Sequence, residues 1–306
     1  MMNLHTDKGN FAEIIDSVSQ DLGLARDIIE KDYYVTLVMK ELFKEEEGLV
    51  FKGGTSLSKG YHLLDRFSED IDLNYIDHDA LNRSKRREIK YALNDAVNRC
   101  GLSVLNLEDT RSNRDFNRYI IGYDRTYPLS GLQRSEVIVE IAFQERSYPC
   151  EKRRINSLIG EYLYSKNAAD LIERYDMKDF EVTIQSYIRT FIDKLFALCD
   201  YYLLDKITEH SRHLYDTYKI FPLITFDEEF KQLFLQVKEE RSKNRFCLSA
   251  ISDMPLTAML RTVIDTDIYR KDYESRTATL LKDKTTYEDV IISTKQIIMI
   301  LEGLGL

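Results

Sequence analysis

The chain has 306 residues, of which 43% are hydrophobic and 31% charged, and its formal net charge is −9. That composition describes a soluble globular protein with room for one large or two modest domains, and the acidic balance argues against indiscriminate nucleic-acid binding while leaving room for a local basic track. No run of apolar residues is long enough for a membrane helix, the start MMNLHTDKGNFAEIID lacks the apolar core of a signal peptide, and Cys100, Cys150, Cys199 and Cys247 form no Cys-x-x-Cys pair. The expectation is a cytoplasmic protein with free thiols and no contact with a membrane.

Residues 10–46 read as two helices. The second, from about Ala25, carries Ile28, Ile29, Tyr33, Val35, Leu37, Val38, Leu42 and Phe43, a stripe broad enough to bury against a sheet. Within it, Glu30-Lys31-Asp32-Tyr33 reads as a helix surface bearing a salt-bridge pair. A short strand signal, Leu49-Val50-Phe51, follows and turns through Gly53-Gly54 into a Thr55, Ser56, Ser58, Lys59 cluster. Glycine has no Cβ, so a phosphate can approach the turn closely, and a helix opening at about Thr55 would favour an anion at its N-terminus. The P-loop pattern is absent, because no Gly-Lys-Ser/Thr stands at the required spacing. A second strand then alternates as Asp70-Ile71-Asp72-Leu73. Residues two apart on a strand share a face, so the two aspartates project together and repel unless a cation sits between them. Hard divalent ions take such oxygens together with substrate phosphates.

From Asn82 to Cys100 a helix is expected, with a basic face of Arg83, Lys85, Arg86, Arg87, Lys90 and Arg99; that is an ordinary solvated face or a contact for an RNA backbone. Strand signals follow at Leu102–Leu107, Tyr119–Tyr123 and Glu136–Phe143. Glu140 lies in the middle of the last one, a costly place for an unpaired charge, and is the natural third carboxylate beside Asp70 and Asp72. Strand signals fade at about Cys150, where Glu151-Lys152-Arg153-Arg154 forms a compact basic spot, and helix signals dominate to the end. A strongly periodic helix is expected over Ile184–Leu204, with Lys194 reading, by itself, as a surface lysine. Arg212 and Asp216 are four apart and would share a helix face, where a plain ion pair explains them. Residues 226–306 show no catalytic spacing.

Gly53-Gly54-Thr55-Ser56-Leu57-Ser58-Lys59 followed by Arg66-Phe67-Ser68-Glu69-Asp70-Ile71-Asp72-Leu73 resembles the signature of the nucleotidyltransferase AbiEii/AbiGii toxin family, within the DNA polymerase β-like nucleotidyltransferase superfamily. The resemblance spans roughly residues 25–220. It implies an α/β fold: a small mixed sheet with flanking helices (1–150), then a helical C-terminal domain (151–306) closing over the nucleotide and acceptor. It implies a metal-dependent toxin of a toxin–antitoxin or abortive-infection pair, with a cognate antitoxin, transferring NMP from an NTP to an RNA acceptor, the tRNA 3′ end. The alternative is NMP or phosphoryl transfer to a protein Ser, Thr or Tyr. A catalytically dead nucleotide sensor would have little reason to keep three carboxylates. Two Mg²⁺ (or Mn²⁺) ions would sit on Asp70, Asp72 and Glu140. The nucleotide would be bound by Gly53, Gly54, Thr55, Ser56, Ser58, Lys59, Arg66 and Ser68. Asp193-Lys194-Leu195-Phe196-Ala197-Leu198 matches the family's lysine helix, which gives Lys194 a triphosphate oxygen, and Arg212 and Asp216 match the block that lines the nucleotide pocket.

Overall fold

A computed structural model describes residues 2–77, 81–131, 134–144 and 146–306. The chain forms two compact units: Met1–Gly60, Ser68–Arg146 and Cys150–Ile184 make the first, and Tyr61–Phe67, Ser147–Pro149 and Gln185–Leu306 the second. The first unit thus extends beyond residue 150, where strand signals fade in the sequence.

Its helices and strands run α1 (Lys8–Leu22), α2 (Arg26–Glu45), β1 (Leu49–Lys52), α3 (Gly53–Lys59), β2 (Asp70–Tyr75), α4 (Arg83–Arg99), β3 (Ser103–Val104), β4 (Phe116–Gly122), β5 (Val137–Ala142), β6 (Cys150–Ile155), α5 (Leu158–Ser165), α6 (Ala169–Arg174) and β7 (Phe180–Gln185). The sheet is mixed, in the order β3-β4-β5-β2-β1-β7-β6. β2 lies antiparallel to β1 and parallel to β5. Ile71, Leu73, Val137, Val139 and Ile141 are buried, and α2 packs on β2 and β5 while also packing on α4. The alternation read from Asp70-Ile71-Asp72-Leu73 is therefore the alternation between core and the opposite face.

Two strands escaped the sequence reading. β6 contains the basic spot Lys152-Arg153-Arg154, whose exposed charges guard the sheet's edge against further pairing. β7 runs directly into the next helix, so its Ile184 reads as the start of that helix; the helix instead begins at Tyr187, with Ser186 Oγ accepting a hydrogen bond from the Ile188 amide at 3.2 Å. In the other direction, the strand expected over Leu102–Leu107 is only Ser103–Val104, followed by a 3₁₀ turn at Leu107–Asp109.

The second unit is helical: α7 (Tyr187–Leu203), α8 (Arg212–Ile220), α9 (Glu228–Ser242), α10 (Leu248–Ile251), α11 (Leu256–Asp265), helical turns between Arg270 and Leu280, and α12 (Tyr287–Gly303). α7 is the hub, packing on α8, α9, α10 and α11, with Phe191, Ile192, Leu195, Phe196 and Leu198 fully buried. Among the described residues no helix is long and apolar enough to cross a membrane.

Candidate active site

The carboxylates come together through sheet register. Lys52 pairs with Asp72 across β1 and β2, Asp72 with Glu140 across β2 and β5, and Glu140 with Arg118 across β5 and β4. Paired residues in adjacent strands share a face, so four strands present a row reading Lys52, Asp72, Glu140, Arg118, with Asp70 two residues before Asp72. Two like charges on neighbouring strands repel by roughly 3 kcal/mol at an effective dielectric constant near 20. The flanking cations answer part of that. Arg118 Nε and Nη2 both reach Glu140 Oε1, at 2.7 and 2.6 Å, and Arg134 Nη1 lies 3.6 Å from Asp70 Oδ1.

That Oδ1 of Asp70 is buried and, among the described residues, accepts no hydrogen bond. A buried carboxylate oxygen without a donor is costly, and a hard cation removes the cost. Asp70 and Asp72 therefore fit a divalent ion by donor type, spacing and the unmet oxygen. Glu140, paired directly with Asp72 in the register, stands on the same face; among the described residues no three His, Cys, Asp or Glu side chains are drawn together into a metal cluster.

The Gly53 turn is fitted to Asp72. Gly53 has φ +78°, and a Cβ built there would overlap the Asp72 carboxylate, with Cγ at 2.9 Å. Its missing side chain thus makes room for this chain's own carboxylate. The hydroxyls expected near the phosphates make hydrogen bonds within the turn. Thr55 is buried, its hydroxyl 2.5 Å from the Asp70 carbonyl oxygen and 2.9 Å from Ser68 Oγ. Ser56, also buried, donates to the Gly53 carbonyl at 2.8 Å, and Ser58 to that of Gly54 at 3.2 Å. Lys59 turns inward to Asp32, 2.5 Å away, and to the Asn156 carbonyl at 3.3 Å. Lys59, expected at a phosphate, is here paired with a buried carboxylate of α2.

The same finding overturns the surface reading of Glu30-Lys31-Asp32-Tyr33, all four of which are buried. Glu30 accepts the amides of Thr126 and Tyr127 at 2.7 and 3.2 Å. Lys31 donates to the Arg134 carbonyl at 2.9 Å and to that of Glu136, and lies 3.2 Å from Glu69 Oε2. Burial pushes the Lys31 ammonium down and the Glu69 carboxyl up, each partly offset by the other. These charges satisfy the backbone leading into β5 and so fix where Glu140 stands. Charged residues inside an otherwise apolar stripe are the sequence signal that could have revealed them. The basic face of α4 is also largely committed: Lys85 pairs with Glu46, Arg86 with Asp115 and Arg99 with Glu41, while Lys90 donates to the Leu107 and Thr110 carbonyls.

The second unit holds a different cluster. Asp216, fully buried, receives Arg66 Nε and Nη2 at 2.6 and 2.7 Å and lies 2.6 Å from Lys194 Nζ. Lys194 is buried, contrary to a surface lysine, and sits 3.4 Å from His213 Nδ1. The ion pair expected between Arg212 and Asp216 is not formed, because Arg66 and Lys194 fill the carboxylate; Arg212 stays half-buried without an ion-pair partner among the described residues. Burial alone would raise the Asp216 carboxyl, but Arg66 and Lys194 hold it well below the carboxylate range. Lys194 is lowered by burial, and by Arg66 and Arg212, despite Asp216. Burial and the neighbouring Arg212 push His210 down to about 4. Burial and Lys194 push His213 well below its usual value. Both histidines are therefore neutral at pH 7, and Arg66 and Lys194 share one carboxylate while Arg212, close enough to lower Lys194, is not paired with it.

A mixed sheet with paired aspartates on the strand after a glycine turn is the arrangement expected of a nucleotidyltransferase. The sequence model of the AbiEii nucleotidyl transferase toxin family, of type IV toxin–antitoxin systems, matches residues 37–292, and the chain belongs to this family. Among solved structures, MenT4, a nucleotidyltransferase toxin from Mycobacterium tuberculosis H37Rv, matches with a TM-score of 0.61 at 18% identity, over 94% of this chain and 89% of that one. That likeness bears on the fold. No curated protein matches the chain by sequence.

Proposed function

We propose that this toxin transfers NMP from an NTP to an RNA acceptor, the 3′ end of tRNA, with a divalent metal held by Asp70 and Asp72. The observation that carries the reading is the pair of aspartates on β2, set against the Gly53 turn, with the buried Asp70 Oδ1 lacking any hydrogen-bond donor among the described residues. When bound, Mg²⁺ or Mn²⁺ supplies charge neutralisation at the transferred phosphoryl group and at the attacking and leaving oxygens. The chain's own work is positional. Gly53 and Thr55 fix the direction of Asp72 and the start of β2, and the buried Lys31 and Glu30 contacts fix the approach to β5. Lys194, Arg66 and Arg212 are assigned to the nucleotide's phosphates, with Asp216 holding Arg66 and Lys194 in place, because two cations on one carboxylate leave positive charge that an anionic ligand would complete. Cytoplasmic action and control by a cognate antitoxin are part of the same proposal, supported by membership of a toxin–antitoxin family.

A protein acceptor is the second reading, favoured by the net charge of −9, which does not attract RNA over the whole surface. One experiment separates the two: incubation with each α-³²P-labelled NTP, Mg²⁺, total bacterial tRNA and cell extract, resolved on RNA and protein gels. Label on RNA that disappears with Asp72→Asn is the expected result. Label on a protein band transfers the conclusion to the second reading, and label that survives Asp72→Asn removes the metal assignment.

A further inference from the structure

The three cations assigned to the phosphates, Arg66, Lys194 and Arg212, come from separate stretches of the second unit, so other residues must set their spacing. Arg212 is the first residue of α8, and the turn that leads into it is held from outside the helix. Asp272, 9% exposed, accepts the Glu209 amide on Oδ1 at 2.9 Å and the Ser211 amide on Oδ2 at 3.1 Å. Ser211 stands at the N-cap position, yet its hydroxyl does not cap α8. It meets the Thr277 hydroxyl at 2.7 Å instead, and both residues are buried. The acceptor at this helix entrance therefore comes from Asp272, whose negative charge also lies at the helix's positive end. Asp272 and Thr277 reach the same residue because the chain between them is wound wide. Residues five apart on an α-helix point about 140° apart, but Tyr273–Thr277 is a π turn, closed by the Ala278 amide on the Tyr273 carbonyl. Turns of this kind are frequent at functional sites.

The same stretch of chain fixes Arg66. Arg66 pairs with Leu281 in an antiparallel bridge, with the Phe67 amide donating to the Leu280 carbonyl at 3.3 Å and the Lys282 amide to the Asp65 carbonyl at 2.7 Å. Asp283, next along, accepts the Tyr215 hydroxyl at 2.9 Å and lies 3.2 Å from Lys219 Nζ, both on α8. We propose that Asp272 is a positioning residue for the phosphate cluster, setting the entrance of α8 so that Arg212 meets the same phosphate chain as Arg66 and Lys194. Asp272 acts through Arg212 and not by touching the ligand. Residues 272–283, which show no catalytic spacing in the sequence, are then the splint that joins Arg66 to α8. The inference rests on the assignment of Arg66, Lys194 and Arg212 to the nucleotide's phosphates, and it extends that site into the last part of the chain.

The test uses the full-length protein and measures binding, so that it does not depend on turnover or on the acceptor. Affinity for a non-hydrolysable NTP analogue and for inorganic tripolyphosphate is measured by calorimetry, beside a thermal melt. The wild type is compared with Arg212→Gln, Asp272→Asn, Asp272→Ala and the double variant Asp272→Asn/Arg212→Gln. Arg212→Gln is expected to weaken both ligands by about tenfold, the scale of one charge-assisted contact. Asp272→Asn, which keeps one acceptor oxygen, should weaken both by at least about threefold, the scale of one lost hydrogen bond, and Asp272→Ala should weaken them further. The double variant should bind no more weakly than Arg212→Gln alone, because two changes that act through one contact do not add. A general loss of stability does not produce that pattern. Should Asp272→Ala fail to fold, Thr277→Val, which removes only the hydroxyl that meets Ser211, takes its place. Unchanged binding by Asp272→Asn and Thr277→Val, with Arg212→Gln weakened, overturns the inference alone. A double variant whose loss is the product of the two single losses also overturns it, since Asp272 would then act by another route. Unchanged binding by Arg212→Gln strikes the phosphate assignment, and the inference with it.

Discussion

The carboxylate face of the first unit and the charged cluster of the second solve opposite problems. On the sheet, acidic side chains are half-exposed, lie next to one another through register, and leave a buried oxygen of Asp70 without a donor. In the helical unit, one fully buried carboxylate, Asp216, is over-served by Arg66 and Lys194, with Arg212 nearby and unpaired among the described residues. The first arrangement leaves a carboxylate oxygen unmet among the described residues, and the second has more cations than carboxylates. A protein that needs both a divalent cation and a polyphosphate must carry both kinds of deficit. The lesson is that the remainder after internal pairing, more than the presence of charged residues, marks the binding groups.

The largest effect expected is on transfer. Asp72→Asn and Asp70→Asn should each lower the rate by on the order of 10³-fold or more, as loss of a principal electrostatic group does, without a lower melting temperature, since removing one of two repelling charges relieves the strand. Steady-state labelling together with a thermal melt checks both halves. A large fall in stability would mean that the aspartates serve the fold.

The second unit should behave the other way. Asp216→Ala leaves Arg66 and Lys194 buried without their carboxylate, and breaking such a network costs about 3–5 kcal/mol. Denaturant unfolding checks this. A change in labelling with no change in stability would reverse the roles assigned to the two regions. The pH dependence has a defined sign. Because the folded-state pKa of Asp216 is depressed, its stabilisation is complete above the unfolded carboxyl value, near 4, and is lost as pH falls through the folded value. The Asp216→Ala variant should show a flatter acid limb than the wild type.

These differences explain what could be read from the sequence. The aspartate pair and the strand that carries it are legible because a period of two is written directly in Asp70-Ile71-Asp72-Leu73. The core strand β5 is legible for the same reason. Lys31 and Asp32 are misread as exposed because a charge on a helix is usually solvated, and only tertiary structure reveals their buried partners, Glu69 and Lys59. Lys194 is recognisable through its family context alone, since its burial depends on Asp216, 22 positions further along the chain by their numbering. β6 and β7 are hidden by composition, one charged along an edge and the other fused in sequence to the start of α7.

An intermediate effect is expected at the turn. Gly53→Ala imposes a left-handed conformation on alanine, at a cost of roughly 1–2 kcal/mol, and its methyl group displaces the Asp72 carboxylate. Transfer should fall far more than stability does. Equal losses would assign the turn to the fold and weaken the contrast between the regions.

The smallest effect concerns the two histidines of the second unit. His210 is pushed down to about 4 and His213 well below its usual value, chiefly by burial, with Arg212 and Lys194 adding to it. Neither ring changes charge between pH 6 and 8, so the local positive charge comes from Lys194, Arg66 and Arg212 alone. Binding of a non-hydrolysable triphosphate should then vary by less than about twofold across that range once the ligand's own ionisation is removed. Stability has a separate pH dependence. In the unfolded chain both histidines take up protons near pH 6.5, while in the folded protein they stay neutral, so stability falls as pH drops from about 6.5 towards 4. Calorimetry in two buffers of different ionisation enthalpy distinguishes the cases. No proton uptake on binding at pH 7 confirms that the histidines are neutral spacers beside Lys194. Uptake of a proton, with tighter binding as pH falls, would make one of them a charge that the ligand recruits, and the cationic excess of the second unit would then be partly created by the ligand.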